Sequence, residues 1–177
     1  RQLFANEAKK SVKLVDIFMK QYDVVVTNPP YMGKRNMNDK LKDFIDKYYS
    51  DSNFDLYSVF IRRCSEFIKD KGFLGMITQQ TFMFTKMFEK LRTFLLDTFI
   101  LDKSIHLGTR AFGEISGEKV NTVMFVYKKE NDNNLRDNSM LSFIDLRMHK
   151  TEKEKLDNLM ELNNDNFYNV EQRKFRN

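Results

Sequence analysis

The sequence is short of the residues that form crosslinks, metal clusters and sharp turns. Its 177 residues include one cysteine, two prolines, six glycines and no tryptophan. A single cysteine excludes a disulfide framework within the chain and argues against a cysteine-based zinc site. No apolar run approaches the roughly 20 residues of a membrane span, and no signal peptide is visible. These absences predict a cytoplasmic protein without a metal site or a membrane partner.

The few glycines also limit how a nucleotide can be held. No Gly-x-Gly follows the first predicted strand, where nucleotide-binding α/β sheets carry a glycine-rich turn. If this fold binds a nucleotide-like cofactor, we expect the residues of its main cradle to precede Arg1. The chain begins with Arg rather than Met, and residues 167–177 show no clear terminal element, so we expect a piece of a longer protein.

What is present is a globular composition with a small basic excess. Hydrophobic residues make up 41% of the chain and charged residues 31%, and the net charge is +5. The length suits one domain of ordinary size with a hydrophobic core. The charge is compatible with a nucleic-acid partner but does not establish one.

Helix and strand patterns alternate along the chain. The predicted helices cover residues 3–20, 38–49, 55–69, 85–97 and 151–162, and Asp55 is the predicted cap of the third. The predicted strands cover residues 22–27, 73–78, 100–107, 120–128 and 140–146. The first strand is apolar and β-branched, as expected for burial on both faces of a parallel sheet. This order predicts an α/β fold, half of a doubly wound sheet, with residues 129–139 as a loop or linker.

Both prolines fall in one stretch, YDVVVTNPPYMG (residues 22–33). The preceding strand places Asn28 at its carboxyl end, where ligands bind in open α/β sheets. Pro29 cannot donate a hydrogen bond and Pro30 restrains Pro29, so the turn is stiff. The Asn28 side-chain oxygen and the Pro29 carbonyl then form two acceptors that match an NH2 group, beside the flat ring of Tyr31. The stretch predicts a site for a planar base with an exocyclic amine.

A purely structural interpretation of this turn is also open. Asn-Pro commonly opens turns, and a tyrosine after it is often a packing residue. The tetrapeptide alone does not distinguish the two interpretations. The strand before it and the elements after it favour a binding site.

The stretch YDVVVTNPPYMG resembles motif IV of the amino-methyltransferases that use S-adenosylmethionine, especially the adenine-N6 DNA methyltransferases. The sequence FDLYSVFIRRCSEFIKDKGFLGMIT resembles the helix and strand that follow this motif there, and HLGTRAFGEISGEKVNTVMFVYKK resembles their motif VIII region. The likeness runs in order from Gln21 to Lys129. Two segments, NPPYMGKRNMNDKLKDFI and HLGTRAFGEI, are most similar to the large adenine methyltransferases of bacteriophage-exclusion (BREX) defence systems.

The resemblance implies a fold and an activity. The fold would be the C-terminal half of a Rossmann-like class I methyltransferase sheet with flanking helices. The protein would transfer a methyl group from S-adenosylmethionine to a flipped adenine in double-stranded DNA, in restriction-modification or phage defence, with restriction or defence-system proteins as further partners. Residues 1–130 would be a partial catalytic domain that holds the target base. Residues 131–177 would be a linker and the start of a connection to a DNA-recognition region, and the isolated chain would be inactive.

The resemblance also implies the site residues. Asn28, Pro29, Pro30 and Tyr31 would be catalytic, with Tyr31 stacking on the flipped base. Phe112 would pack against the base from the other side. Phe60, together with Asn28, would contact the cofactor. No metal is implied.

Basic residues near the site carry a weaker prediction. Lys34 and Arg35 follow the NPPY turn, and Arg110 lies near the motif VIII aromatic, so all three are candidates for contacts with the DNA backbone. A solvated loop and helix face explains the first two equally well. His106 is predicted to be an ordinary strand residue.

Two alternative functions stay open at this point. An RNA-base or protein-glutamine N-methyltransferase would use the same turn, because NPPY suits any planar amide or amine. A non-catalytic DNA-binding piece with the same fold is the alternative outside the enzymes.

Overall fold

The computed structural model describes residues 2–111, 120–161 and 166–176, and these form one mixed sheet with flanking helices. The strands are β1 (Tyr22–Thr27), β2 (Ile68–Gln79), β3 (Phe99–Gly108), β4 (Thr122–Lys129), β5 (Met140–Asp145) and β6 (Phe167–Glu171). The helices are α1 (Gln2–Met19), α2 (Asp39–Tyr48), α3 (Leu56–Glu66), α4 (Thr81–Phe84), α5 (Glu89–Thr98), α6 (Asn133–Asp137) and α7 (Glu152–Glu161). Short 3-10 turns cover Lys34–Asn36, Lys86–Phe88 and Gln172–Phe175. The predicted α/β class is confirmed.

The strand order is β1-β2-β4-β3-β5-β6. β1 runs parallel to β2, and β4 is antiparallel to both of its neighbours, β2 and β3. β5 is parallel to β3, and β6 is antiparallel to β5. The carboxyl ends of β1, β2, β3 and β5 therefore share one edge of the sheet. In an open α/β sheet, ligands bind at this edge.

The main core lies between the sheet and helices α3 and α5. Apolar side chains three or four residues apart on α3 point to the same face of the helix and are buried there. They are Tyr57, Ile61 and Cys64, and the partners of this cluster include Leu74, Leu91, Leu95 and Phe125. α3, which lies between β1 and β2 in the chain, is therefore packed against the sheet that these strands form.

The predicted burial of β1 on both faces is wrong for the described residues. Val24 is 57% exposed and Val26 is 73% exposed. β1 is the first strand in the sheet order, so it has one neighbour, β2, and these two valines stay largely exposed. An apolar, β-branched run indicates a strand but does not tell which of its faces is covered.

The junction between α3 and β2 also differs from the prediction. α3 ends at Glu66, and β2 begins at Ile68 instead of Phe73. The Tyr22 N–H donates to the Phe67 carbonyl at 2.7 Å, and Ile68 pairs with Tyr22, so β1 draws this segment into the sheet. Gly72, which lies between the predicted helix and the predicted strand, is inside β2.

The last part of the chain extends the same sheet. β5 matches its predicted position. β6 was not predicted, because it is recognised as a strand mainly by its pairing with β5, which the sequence does not show. α6 lies within the segment predicted as a loop or linker. The proposed division at residue 130 stays a prediction, although strands from both sides of it share this sheet.

Helices within the described ranges are not long and apolar enough to cross a membrane. In the same ranges, no group of three or more His, Cys, Asp or Glu side chains is arranged to hold a metal ion.

Candidate active site

The NPPY turn, residues Asn28 to Tyr31, directly follows β1 at the carboxyl edge of the sheet. Asn28 and Pro30 are exposed, whereas Pro29 is buried. No hydrogen bond within the described ranges engages the Asn28 side chain. The turn is thus anchored at Pro29, and the Asn28 amide is accessible to a ligand.

The Tyr31 ring is half-buried and leans on the core. Its hydroxyl lies 3.5 Å from the Ile77 carbonyl of β2. Its ring meets the Tyr57 ring edge-on, with 6.1 Å between centroids. Tyr57 is fully buried, and its hydroxyl shares a hydrogen bond of 2.8 Å with the Thr81 hydroxyl. The Tyr31 ring therefore packs against Tyr57, which is buried and hydrogen-bonded.

The backbone after Tyr31 pairs with the start of α3. The Lys34 N–H donates to the Phe54 carbonyl, and the Leu56 N–H donates to the Met32 carbonyl, both at 3.0 Å. The Met32 N–H donates to the Asp55 carboxylate at 3.0 Å. The sequence predicted Asp55 as the cap of α3, which is confirmed, but its bond to the NPPY loop was missed.

The turn after β3 is held by a lysine that the sequence did not single out. Gly108 ends β3 with a φ of 70°, and Arg110 has a φ of 56°. The Lys155 ammonium of α7, almost buried, donates to the Thr109 carbonyl at 2.5 Å and approaches the Arg110 carbonyl at 3.4 Å. Phe112, the predicted second stacking residue, lies outside the described residues. Lys155 therefore holds the backbone of Thr109 and Arg110 in place.

Phe60 lies on the outer side of α3. It is 36% exposed, whereas its neighbours Val59 and Ile61 are buried. An exposed aromatic face is suited to contact a planar ligand group. Its predicted role in the cofactor pocket stays a prediction.

The three predicted DNA-contacting cations differ in their surroundings. The Lys34 ammonium forms an ion pair with Asp46, which also accepts a hydrogen bond of 2.6 Å from Asn53. Arg35 and Arg110 are exposed and form no ion pair within the described ranges. The two arginines are thus freer than Lys34 to contact a phosphate.

His106 is a buried strand residue, as predicted. It is 1% exposed, stacked on Phe84 at 6.4 Å and edge-on to Phe143 at 6.3 Å. Its Nε2 atom has no hydrogen-bond partner among the residues that the structure describes. Burial lowers the pKa of the His106 imidazole, the nearby Arg147 lowers it further, and Asp145 opposes both.

The lowered pKa of His106 predicts a loss of stability in mild acid. The unfolded imidazole binds a proton first as the pH falls, so the free energy of unfolding decreases from about pH 6.5 downward, by at most about 1.4 kcal/mol per pH unit. Above that pH, His106 is neutral in both the folded and the unfolded protein, and the free energy of unfolding is not reduced by its protonation. The free energy of unfolding, measured from pH 7.5 to pH 5, should show this slope in the native sequence and a weaker slope in the His106→Phe variant. Phenylalanine is the chosen replacement because the neighbours of His106 are aromatic. Equal slopes would contradict the prediction.

Residues 2–112 match the family model described as Eco57I restriction-modification methylase. The adenine-specific methyltransferase BrxX of Escherichia coli O9:H4 (strain HS) is 44% identical over 112 residues, which are 63% of this chain and 9% of BrxX. This relative confirms the resemblance to the adenine methyltransferases of BREX systems. The chain spans about a tenth of the length of the first curated relatives it matches, 9% and 10%.

Solved structures share the fold at low sequence identity. A nuclease-deletion mutant of the Type ISP restriction-modification enzyme LlaGI, in complex with a DNA substrate mimic, matches 92% of this chain and 18% of its own at 22% identity, with a TM-score of 0.66. A putative class I S-adenosylmethionine-dependent methyltransferase from Listeria monocytogenes matches 82% of this chain and 43% of its own at 16% identity, with a TM-score of 0.56. These matches confirm the predicted Rossmann-like class I fold.

The matched family region contains the NPPY turn, helix α3, and strands β1 to β3. It ends at residue 112, where the predicted opposing aromatic stands. Because it covers more than half of the chain, this protein belongs to the Eco57I restriction-modification methylase family.

Proposed function

We propose that this chain forms the target-base side of the catalytic domain of a DNA adenine-N6 methyltransferase that acts in restriction-modification or phage defence. The observation that carries the proposal is the accessible Asn28 side chain at the carboxyl edge of the sheet, beside the supported ring of Tyr31. Membership of a restriction-modification methylase family and the likeness to an adenine-specific relative support it.

The NPPY turn addresses the main difficulty of the reaction. The exocyclic amine of adenine is a poor nucleophile, because its lone pair is delocalised into the ring. The Asn28 side-chain oxygen and the Pro29 carbonyl accept hydrogen bonds from this amine and favour a more tetrahedral nitrogen. S-adenosylmethionine supplies an electrophilic methyl group when bound. Fixed acceptors lower the barrier by alignment and electrostatics, so neither a metal nor a strong general base is needed.

The base must leave the duplex before it reaches this turn. Flipping costs a few kcal/mol. Stacking on Tyr31 returns about 1–3 kcal/mol, and a second aromatic at Phe112 would return a similar amount. Arg35 and Arg110 are suited to hold the backbone phosphates nearby.

The described residues fit one side of a cofactor site. Phe60 presents an exposed ring, and the exposed Asn28 side chain lies at the edge of the sheet where class I folds bind their ligands. We assign Phe60 to the adenine ring of S-adenosylmethionine and Asn28 to the boundary between cofactor and base. Residues 131–177 would begin the connection to a DNA-recognition region, and the proposed DNA substrate supports a cytoplasmic protein.

Methyl transfer by the full-length protein tests the proposal. Labelled S-adenosylmethionine is incubated with duplex DNA, with RNA and with a protein extract, and the modified products are digested and identified. We expect label in N6-methyladenine from DNA. Label in RNA or in protein glutamine supports a different methyltransferase, and cofactor binding without any transfer supports a non-catalytic DNA-binding role.

A further inference from the structure

A single carboxylate oxygen accepts hydrogen bonds from the backbone next to both tyrosine rings of the site. Asp55 Oδ1 accepts the Met32 N–H at 3.0 Å and the Tyr57 N–H at 3.3 Å. Met32 directly follows Tyr31, and Tyr57 carries the ring that meets the Tyr31 ring edge-on. The oxygen therefore fixes the spacing between the loop that bears Tyr31 and the helix that bears Tyr57.

The surroundings make this joint stiff. Backbone hydrogen bonds flank it on both sides, from Leu56 to Met32 and from Lys34 to Phe54. Tyr57 is held at its other end by the hydrogen bond between its hydroxyl and Thr81. A ring held at its backbone and its hydroxyl is a fixed support for its neighbour.

Helix capping alone does not account for these contacts. Other capping side chains, Asn38 on α2, Asp132 on α6 and Thr151 on α7, bond to the first turn of their own helix. Asp55 does this through Tyr57 and also bonds to Met32, which is 23 residues away in the chain. The second bond serves the NPPY loop and not the helix.

We propose that Asp55 is a positioning residue for methyl transfer, which sets the depth and tilt of the Tyr31 ring through the Met32 amide and the Tyr57 ring. The inference rests on the proposed function, because it assigns Tyr31 to the target base. Asp55 does not touch the base itself.

Loss of the carboxylate would release both amides. The Tyr31 ring would then sample several positions, and a misplacement of about 1 Å at a reacting group lowers a rate by about 100-fold. Asp55→Asn keeps a side-chain oxygen at the same distance from the backbone, so it can accept the same N–H groups. The conservative variant should therefore restore the geometry.

The experiment compares Asp55→Ala, Asp55→Asn and the control Asp132→Ala in the full-length protein. Asp132→Ala removes a helix cap with two hydrogen bonds, of 2.8 Å and 3.1 Å, on the distant α6. The readouts are kcat, KM for duplex DNA, and the fluorescence of 2-aminopurine at the target adenine, located beforehand by mapping methylated DNA. We expect Asp55→Ala to lower kcat by about 10- to 100-fold with a smaller change in KM, and to change the emission of the flipped base. Asp55→Asn should recover most of the rate, and Asp132→Ala should change none of the three readouts.

Two failures can be told apart. A native protein that transfers no methyl group to DNA overturns the proposed function, and this inference with it. An active native protein in which Asp55→Ala and Asp132→Ala have equal kcat and equal 2-aminopurine emission overturns the positioning role alone.

Discussion

Asn28→Ala is expected to lower the rate of adenine methylation by the full-length protein by about 10²- to 10³-fold, the range observed when one fixed hydrogen-bonding group is removed from a transition-state site. The Asn28 side chain supplies one of the two proposed acceptors for the adenine amine. It is exposed and forms no hydrogen bond within the described part of the chain, so its removal should leave the fold intact.

Asn36→Ala is the matched control for this change. Asn36 is also an exposed asparagine whose side chain forms no hydrogen bond within the described residues, and it lies in the 3-10 turn that follows the site. Methylation rates of both variants are measured on the same duplex, with circular dichroism to verify folding. A rate for Asn28→Ala within threefold of the Asn36→Ala rate would remove Asn28 from the catalytic set.

Gly72→Ala is expected to destabilise the pairing of β1 with β2, by about 1–3 kcal/mol of unfolding free energy. A Cβ atom at Gly72 would lie 2.8 Å from the Asp23 carbonyl oxygen and 2.8 Å from Ile68 Cγ2. The carbonyl belongs to the backbone of β1 and cannot move without shifting that strand. Because β1 carries the NPPY turn at its other end, the change should also lower activity.

Gly75→Ala, in the same strand, provides the comparison. The nearest atom to a Cβ there would be Val26 Cγ2, at an ordinary contact distance of 3.5 Å. Hydrogen–deuterium exchange of peptides from β1 and β2 in the full-length protein measures the local effect of each change. Exchange should accelerate in Gly72→Ala and stay near the native rate in Gly75→Ala, and the reverse order would contradict the close approach at Gly72.

The NPPY loop and the turn after β3 are held by different parts of the chain. Asp55, at the start of α3, holds the loop after Tyr31. Lys155, on α7, holds the turn after β3 that leads to Phe112. Lys155 thus connects the segment after residue 130 with the turn that precedes the predicted stacking residue, although none of the residues of that segment was predicted to be functional. Substitutions on α7 are expected to disturb the turn that precedes Phe112 before they disturb the NPPY loop.

Elements with a strong local pattern were well predicted. β1 has the predicted bounds, because a β-branched run that ends at two prolines leaves little freedom in where the strand begins and ends. The Asp55 cap was also predicted, since capping requires an acceptor next to the first turn of its own helix. The NPPY turn could be predicted as a base site because few combinations of residues provide two fixed acceptors and an aromatic face together, and this role stays a prediction.

Features that depend on distant partners were missed. The start of β2 at Ile68 follows from its pairing with Tyr22, and β6 follows from its pairing with β5. The exposure of Val24 and Val26 depends on which elements lie beside β1, and the pattern of the strand is the same in either case. Hydrophobic periodicity reports the type of an element and not its neighbours.

By itself, the sequence determined the α/β class, the position of Asn28 at the end of a strand, and the family, because each depends on residues that are adjacent in the chain. The tertiary structure alone decided that Asp55 bonds to the loop after Tyr31, that Tyr57 supports the Tyr31 ring, and that Lys155 holds the turn after β3. Each of these contacts joins residues that are far apart in sequence, and the folding of the sheet brings them together. The local pattern thus predicted the group that is proposed to meet the substrate, and the fold supplied the groups that hold its surroundings in place.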